Sequence, residues 1–382
     1  MPPFSLTSTA NLHTTYASVN LAALSHNLSR IQDRLTAGSG VMAVVKANAY
    51  GHGAVEISRA LVQQGISRLA VASVKEGMAL REAGITADIL VLVDLFDEHI
   101  PDLLAHRLTP VITAPRLLPT LAKAAEERNL SFPIHIKIDT GMGRLGFSPN
   151  DVATLFDGLS AWKSLRVEGF MTHLADSDGD DPGHAEQQLK IFQRLLDQLR
   201  ERGANIPIVH AANSAACIRF PQSHFSLVRP GIMLYGYHTL PDNVPCPVLK
   251  PVLSLRTTVM QLRTIETGES VSYNRTFVAK RKTRIAVLPV GYADGYSRRL
   301  SNNGFVLING KRAPIAGLVC MDMTMVDVTD IAPVEAGDEA TLIGRQGGDA
   351  IWADDIAEWT GTIPYEVLCA IGPRVPRLYQ SE

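Results

Sequence analysis

Lys46 ends the apolar run Val41-Met42-Ala43-Val44-Val45 and leads into Ala47-Asn48-Ala49-Tyr50-Gly51-His52-Gly53. A lysine placed there has two readings. Its stem can carry the ammonium out to water. Alternatively, the chain holds a partly desolvated amine that can lose its proton and condense with a carbonyl. Arg144 lies in a glycine-rich segment, Gly141-Met142-Gly143-Arg144-Leu145-Gly146, suited to presenting a cation to an anion. His173, Asn213 with Ser214, and Arg229 each follow an apolar run as well. Ser214 in "HAANSAA" and Gly231 with Ile232 in "VRPGIMLYG" could cage a phosphate through a hydroxyl and backbone N–H groups, joined by a phenol. As ordinary turn residues they would need no ligand.

Other chemistries find less support. The glycines at 141–146 match the dinucleotide fingerprint G-x-G-x-x-G. However, they follow the fifth strand-like run, Ser148 caps the next helix beyond them, and no strand ending in an acid follows about 20 positions on. The chain has no nucleotide P-loop, no H-E-x-x-H pair and no G-x-S-x-G elbow. His52, His135, His173 and His210 lack metal-ligand spacing and read as interior histidines, so no metal site is expected. Cys217, Cys246, Cys320 and Cys369 form no C-x-x-C pair and read as reduced thiols. An amine, a phosphate cage, arginines for a carboxylate, and phenols remain. Together they suggest pyridoxal 5′-phosphate (PLP).

Eight short strand-like runs position these groups: 41–46, 68–73, 88–93, 108–112, 133–138, 167–172, 206–210 and 226–234. Helix-like text separates most of them. In "HAEQQLKIFQRLLDQLRERG", Leu189, Phe192, Leu195, Leu196 and Leu199 recur at helical spacing and the pattern stops at Gly203. Such alternation predicts an α/β fold with an N-terminal (β/α)8 TIM-type barrel, a doubly wound open sheet being the alternative. Barrel active sites lie at the carboxyl ends of the strands, which is where Lys46, Arg144, His173, Ser214 and Arg229 fall. After residue 250 the text turns strand-like, with an Asn309-Gly310 hairpin signal and a closing helix in "ADDIAEWTG". The reading is a barrel over 14–248 and a mostly-β domain over 249–382, with residues 1–13 packing on the latter.

The chain's 382 residues suit two domains, and its 46% hydrophobic content supplies their cores. A formal net charge of −2 with no basic run argues against nucleic acid as a partner. No export signal and no apolar run of membrane-spanning length are visible, so a soluble, cytoplasmic protein without membrane attachment is expected.

Six segments, in order, carry a resemblance: "AVVKANAYGHG", "IDTGMGRLGF", "RPGIMLYG", "VSYNRTF", "GYADGY" and "TIPYEVLCAIGPRVPR". They resemble bacterial alanine racemases of the fold-type III PLP class, from about residue 14 to residue 379. The resemblance implies that Lys46 forms the Schiff base with PLP. It implies a phosphate cage of Tyr50, Ser214, Gly231, Ile232 and Tyr365. Arg229 would face the pyridine nitrogen with His173 hydrogen-bonded to it, and Arg144 would approach the cofactor phenolate and the substrate carboxylate. Tyr273 would be the second base, and with Met321 and Asp322 it would come from the other subunit of a homodimer. Tyr292 would line the substrate's approach. Lys137 matches a lysine that is carbamylated in some members. One departure is visible: Leu318 in "GLVCMD" replaces a frequent arginine, which removes a cation near the substrate mouth.

Physical chemistry agrees with these roles. Racemisation needs one group on each face of the α-carbon. Amines and phenols ionise near pH ~10 and need burial or cationic neighbours to act as bases near neutrality. An arginine opposite the pyridine nitrogen does not give up its proton, which keeps the ring a weaker electron sink and suppresses transamination. The expected function is PLP-dependent interconversion of L- and D-alanine for peptidoglycan. The alternatives are a broader amino-acid racemase that includes serine, and a PLP decarboxylase, against which Arg229 argues. A bare PLP-carrier barrel would not need the β domain that holds Tyr273.

Overall fold

The computed structural model describes residues 14–93, 95–159, 161–241, 243–331 and 333–381. The expectation for residues 1–13 lies outside the described residues. The chain divides into two compact units. One contains residues 24–49 and 54–250, and the other contains 14–23, 50–53 and 251–381.

The first unit is a closed barrel of eight parallel strands. These are Gly40–Val44, Arg68–Val71, Asp88–Val91, Thr109–Ile112, Phe132–Lys137, Leu165–Met171, Ile208–His210 and Leu227–Val228. Each overlaps one of the expected runs. Pairing of Gly40 with Leu227 and Val41 with Val228 closes the barrel and rules out the open sheet. The longest expected run, 226–234, yields only a two-residue strand. Pro230 has no N–H to continue the ladder, and the chain turns into the 3-10 turn Ile232–Tyr235. Helix Gly183–Glu201 buries Leu189, Phe192, Leu195, Leu196 and Leu199, the stripe that its spacing predicts. Phe192 stacks on Phe170 of the sixth strand with ring centroids 5.1 Å apart. Burial of each such ring is worth about 1.5–3 kcal/mol.

The second unit is mostly β, as expected. Its main sheet runs in the order Lys311–Pro314, Phe305–Ile308, Glu339–Gln346, Leu253–Thr258, Tyr16–Asn20, Arg377–Gln380, and Asp349–Ile351 pairs off Glu339–Gln346. Ile308 faces Lys311, which leaves Asn309-Gly310 as a two-residue hairpin turn. A three-stranded sheet joins Gln261–Ile265, Thr283–Leu288 and Thr324–Asp327, and a ribbon pairs Ser270–Val271 with Phe277–Val278. Tyr16–Asn20 lies in the main sheet, antiparallel to Leu253–Thr258 and parallel to Arg377–Gln380. Its five residues have the composition of a barrel strand, and only the long-range pairing distinguishes it. Among the described residues, no helix is long and apolar enough to cross a membrane.

Candidate active site

Beyond the first barrel strand the backbone turns left-handed. Ala47, Asn48, Ala49 and Tyr50 have φ of 52°, 54°, 52° and 53°. L-residues adopt this conformation at a cost of roughly 1–2 kcal/mol each, so the surroundings must hold it. The Ala47 N–H donates to Glu76 Oε1 at 2.7 Å, and Ala54 N–H donates to Asn48 Oδ1 at 2.9 Å. The other Glu76 oxygen accepts from Ala72 N–H at 2.7 Å. One carboxylate thus ties the amide beside Lys46 to the end of the second strand. Glu76 also completes a capping box with Ser73 at the start of helix Val74–Glu82. The motif reading gives it no role, although Ser73-x-x-Glu76 is a capping signal.

The glycine-rich segment after the fifth strand is shaped by Asp139. Its Oδ1 accepts N–H bonds from Gly141, Met142 and Gly143 at 3.0, 2.8 and 3.1 Å, and its Oδ2 accepts from Arg144 at 3.0 Å. Burial works to raise the Asp139 pKa, but the four amides outweigh it and lower the net value. Gly146 has φ 134°, and a Cβ there would lie 2.6 Å from the Asp139 nitrogen. The glycines therefore let the loop fold over a carboxylate and return to the strand, where Phe147 N–H meets Lys137 O at 2.9 Å. Arg144 stands exposed on that loop.

Lys137 and Arg229 are each 4% exposed inside the barrel. Burial, then Arg144 and Arg229, lower the Lys137 pKa to about 8. Arg229 Nη2 donates to the carbonyls of Thr172 at 2.9 Å and Ala211 at 3.0 Å, and lies 3.2 Å from His173 Nδ1. Burial, then Arg229 and Lys137, hold the His173 pKa well below the ordinary value. Arg229 Nη1 meets His210 Nδ1 at 2.8 Å, and His210 Nε2 meets His135 Nδ1 at 2.8 Å. Burial keeps both imidazoles below their usual pKa, so they are neutral at pH 7. Because arginine only donates, the hydrogen bonds set both tautomers. His210 Nδ1 accepts, its Nε2–H donates to His135, and the His135 proton remains on Nε2, 3.7 Å from Glu168 Oε2. His135 foremost, and Arg166, draw the Glu168 carboxyl down to about 2 against the effect of burial.

Ser214 opens helix Ser214–Arg219, capped by Asn213. Its Oγ accepts from Gly231 N–H at 2.9 Å, which brings the seventh and eighth strand ends together. Ile232 starts the adjoining 3-10 turn. The barrel therefore gathers Lys137, His173, Ser214, Arg229, Gly231 and Ile232 at or just beyond strand ends, with Lys46 and Arg144 on loops at the same ends.

The remaining expected residues belong to the β unit. The Tyr50 and Tyr365 rings lie 5.9 Å apart. Burial, then Tyr365 and Cys369, push the Tyr50 phenol above its ordinary pKa and keep it a donor. Tyr273 lies in the turn of the 270–278 ribbon and is 64% exposed. Its neighbours Ser272, Asn274 and Arg275 have φ of 68°, 57° and 52°. A Ser272 Oγ–Leu318 O hydrogen bond of 2.7 Å and an Arg275 Nε–Ser270 Oγ bond of 2.9 Å hold this strained tip. Tyr292, Met321 and Asp322 lie on two adjoining turns of the same unit. Among the described residues, no group of three or more His, Cys, Asp or Glu could hold a metal ion.

Family models match almost the whole chain: "Alanine racemase, N-terminal domain" over residues 19–239 and "Alanine racemase, C-terminal domain" over 252–379. The chain belongs to the alanine racemase family. An alanine racemase from Carboxydothermus hydrogenoformans is 45% identical over 366 residues, covering 95% of this chain and 99% of its own. One from Halothermothrix orenii is 42% identical over 368 residues, covering 96% and 97%. Among solved structures, the alanine racemase from Bacillus anthracis with bound L-Ala-P superposes with a TM-score of 0.90 at 35% identity, covering 100% of this chain and 97% of that one. The Streptomyces coelicolor A3(2) alanine racemase gives 0.92 at 33% identity, covering 98% and 100%.

Proposed function

We propose that this protein is a PLP-dependent isomerase that interconverts L- and D-alanine and supplies D-alanine for peptidoglycan in the cytoplasm. The observation that carries this reading is the group of cationic side chains Lys46, Lys137, Arg144 and Arg229 at one end of a barrel, with the Asp139 carboxylate already occupied by four amides. Such a set needs a multiply charged anion, and a phosphate ester together with an amino-acid carboxylate supplies one. PLP, when bound, draws electrons from the substrate α-carbon so that its proton can leave.

The protein's own groups do the rest. Lys46 holds the cofactor aldehyde and, as a free amine, takes or returns the α-proton on one face. Ser214 with the Gly231 and Ile232 amides receives the phosphate, and the motif positions of Tyr50 and Tyr365 assign their phenols to it. Arg229 donates toward the pyridine nitrogen, with His173 and His210 fixing its plane. Arg144 takes the substrate carboxylate and the cofactor phenolate. Lys137, with its lowered pKa, offers the neutral amine that carbamylation requires: amine and carbon dioxide give a carbamate and one released proton. The carbamate would prop Arg144.

Tyr273 serves the opposite face from the partner subunit of a homodimer, with Met321 and Asp322 meeting the substrate carboxylate and Tyr292 lining its approach. The support is exposure: Met260, Tyr273, Val278, Tyr292, Met321 and Met323 are 42–64% exposed on the β unit. Large apolar side chains left open together call for a covering surface.

The test is a visible spectrum of the purified protein, then borohydride reduction and peptide mapping. A reducible visible band with pyridoxyl label on Lys46 is expected, together with racemisation of either alanine enantiomer. A colourless protein that gains no band with added PLP, or a label on another residue, overturns the reading.

A further inference from the structure

Arg374 lies in the last motif, "IGPRVPR", and has no part in the chemistry above. Arg377 fixes the loop that carries it: Nη2 donates to Ile371 O and Nη1 to the carbonyls of Gly372 and Val375, each at 2.6 Å. Gly372 N–H adds a bond to Asp294 O at 3.1 Å. From this platform Arg374 reaches two carboxylates. Its Nε is 3.3 Å from Asp294 Oδ1, and its Nη2 is 2.9 Å from Asp322 Oδ1.

Those carboxylates sit on different turns. Asp294 is buried, and its Oδ2 accepts Gly291 N–H at 3.0 Å, closing the turn that bears Tyr292. Asp322 follows Met321 on the other turn. Backbone bonds from Tyr292 N–H to Cys320 O and from Ala293 N–H to Met321 O, both 3.0 Å, stitch the turns together. The approach is so close that a Cβ on Gly291 would fall 2.3 Å from the Cys320 and Met321 carbonyl oxygens. Met321 and Asp322 are the residues assigned to the substrate carboxylate. An unscreened Asp322 charge there would repel the anion that the turn is meant to bind.

We propose that Arg374 is a positioning residue for substrate recognition: it locks the Tyr292 turn to the Met321–Asp322 turn and cancels the Asp322 charge facing the amino-acid carboxylate. This rests on the assignment of Asp322 to the substrate carboxylate made above. Among the described residues, Arg374 is the cation within ion-pair distance of Asp322.

The experiment compares steady-state kinetics of the PLP-loaded dimer for wild type, Arg374→Met, Asp322→Asn and the double variant, with L- and D-alanine. Arg374→Met should raise KM about tenfold with kcat within about twofold, a loss of binding rather than of chemistry. About 0.5 M KCl should shrink that defect by screening. Adding Asp322→Asn should return KM to within about threefold of wild type, because the repelling charge is gone. Arg374→Lys, which keeps the charge, should stay near wild type and guards against a folding artefact. A double variant no better than Arg374→Met, or an unchanged KM in Arg374→Met, overturns the proposal. Should Asp322→Asn and Asp322→Lys both leave KM at the wild-type value, Asp322 is not at the substrate, and that assignment falls as well.

Discussion

In the barrel, Lys137 and Arg229 are each 4% exposed and His210 is fully buried, whereas in the β unit Tyr273 is 64% and Met321 53% exposed. Arg229 and His210 are held by hydrogen bonds that run through the barrel interior to His135. The second set stands on turns held from behind, by Leu318 O under Ser272 and by Arg374 on Asp322. Buried cations need a small anion to complete them. Exposed rings on fixed turns need another surface. On the reading proposed above, one chain carries two halves of different sites.

The largest expected effect tests that implication. Lys46→Ala and Tyr273→Phe should each lower racemisation by about 10³-fold or more, as loss of a positioned acid–base group does. Mixed in equal amounts and reassembled, the two inactive proteins should recover about one quarter of wild-type activity. Half of the dimers are then mixed, and each has one intact site. Recovery of no activity would place Tyr273 beside its own Lys46 and break the contrast.

Arg229→Glu should keep PLP bound, slow racemisation by about 10²–10³-fold, and raise the share of transamination, measured as pyruvate formed per turnover. An unchanged partition between the two reactions would remove Arg229 from the control of reaction type. A smaller effect belongs to Asp139→Ala. Freed from its four amide contacts, the Arg144 loop should lose about tenfold in kcat/KM, while the Lys46 label and the dimer survive.

The smallest effect is on stability, and it reads the cost of burying Lys137 in the barrel. Lys137 titrates near 8 in the folded protein, below the ordinary lysine value of 10.5. The unfolded chain therefore binds the proton more tightly, and folding is penalised fully below about pH 8. The penalty fades as pH rises toward 10.5. In carbon-dioxide-free buffer without PLP, Lys137→Met should raise the Tm by a few degrees at pH 7, with the gain shrinking at pH 9 and above. A gain that grows with pH would contradict the buried-cation account.

Much of this was legible from local pattern. Strand-length apolar runs, the helical stripe Leu189 to Leu199, and the Asn309-Gly310 turn all rest on periodicity and turn chemistry within a few residues. So does the position of Lys46 at the end of a strand. The six motifs then pointed to the family that the family models match and to the residues proposed for its chemistry. Tertiary structure alone decided the rest. The left-handed turn after Lys46 depends on Glu76, and the tautomers of His135 and His210 follow from Arg229. Tyr16–Asn20 joins a sheet whose other strands lie beyond residue 250. Arg374 meets Asp294 and Asp322, which lie far from it in the chain. The physical reason is the same throughout: a residue's type limits which hydrogen bonds and charges it can offer, but its partner is chosen by chain closure over distances that no local period encodes.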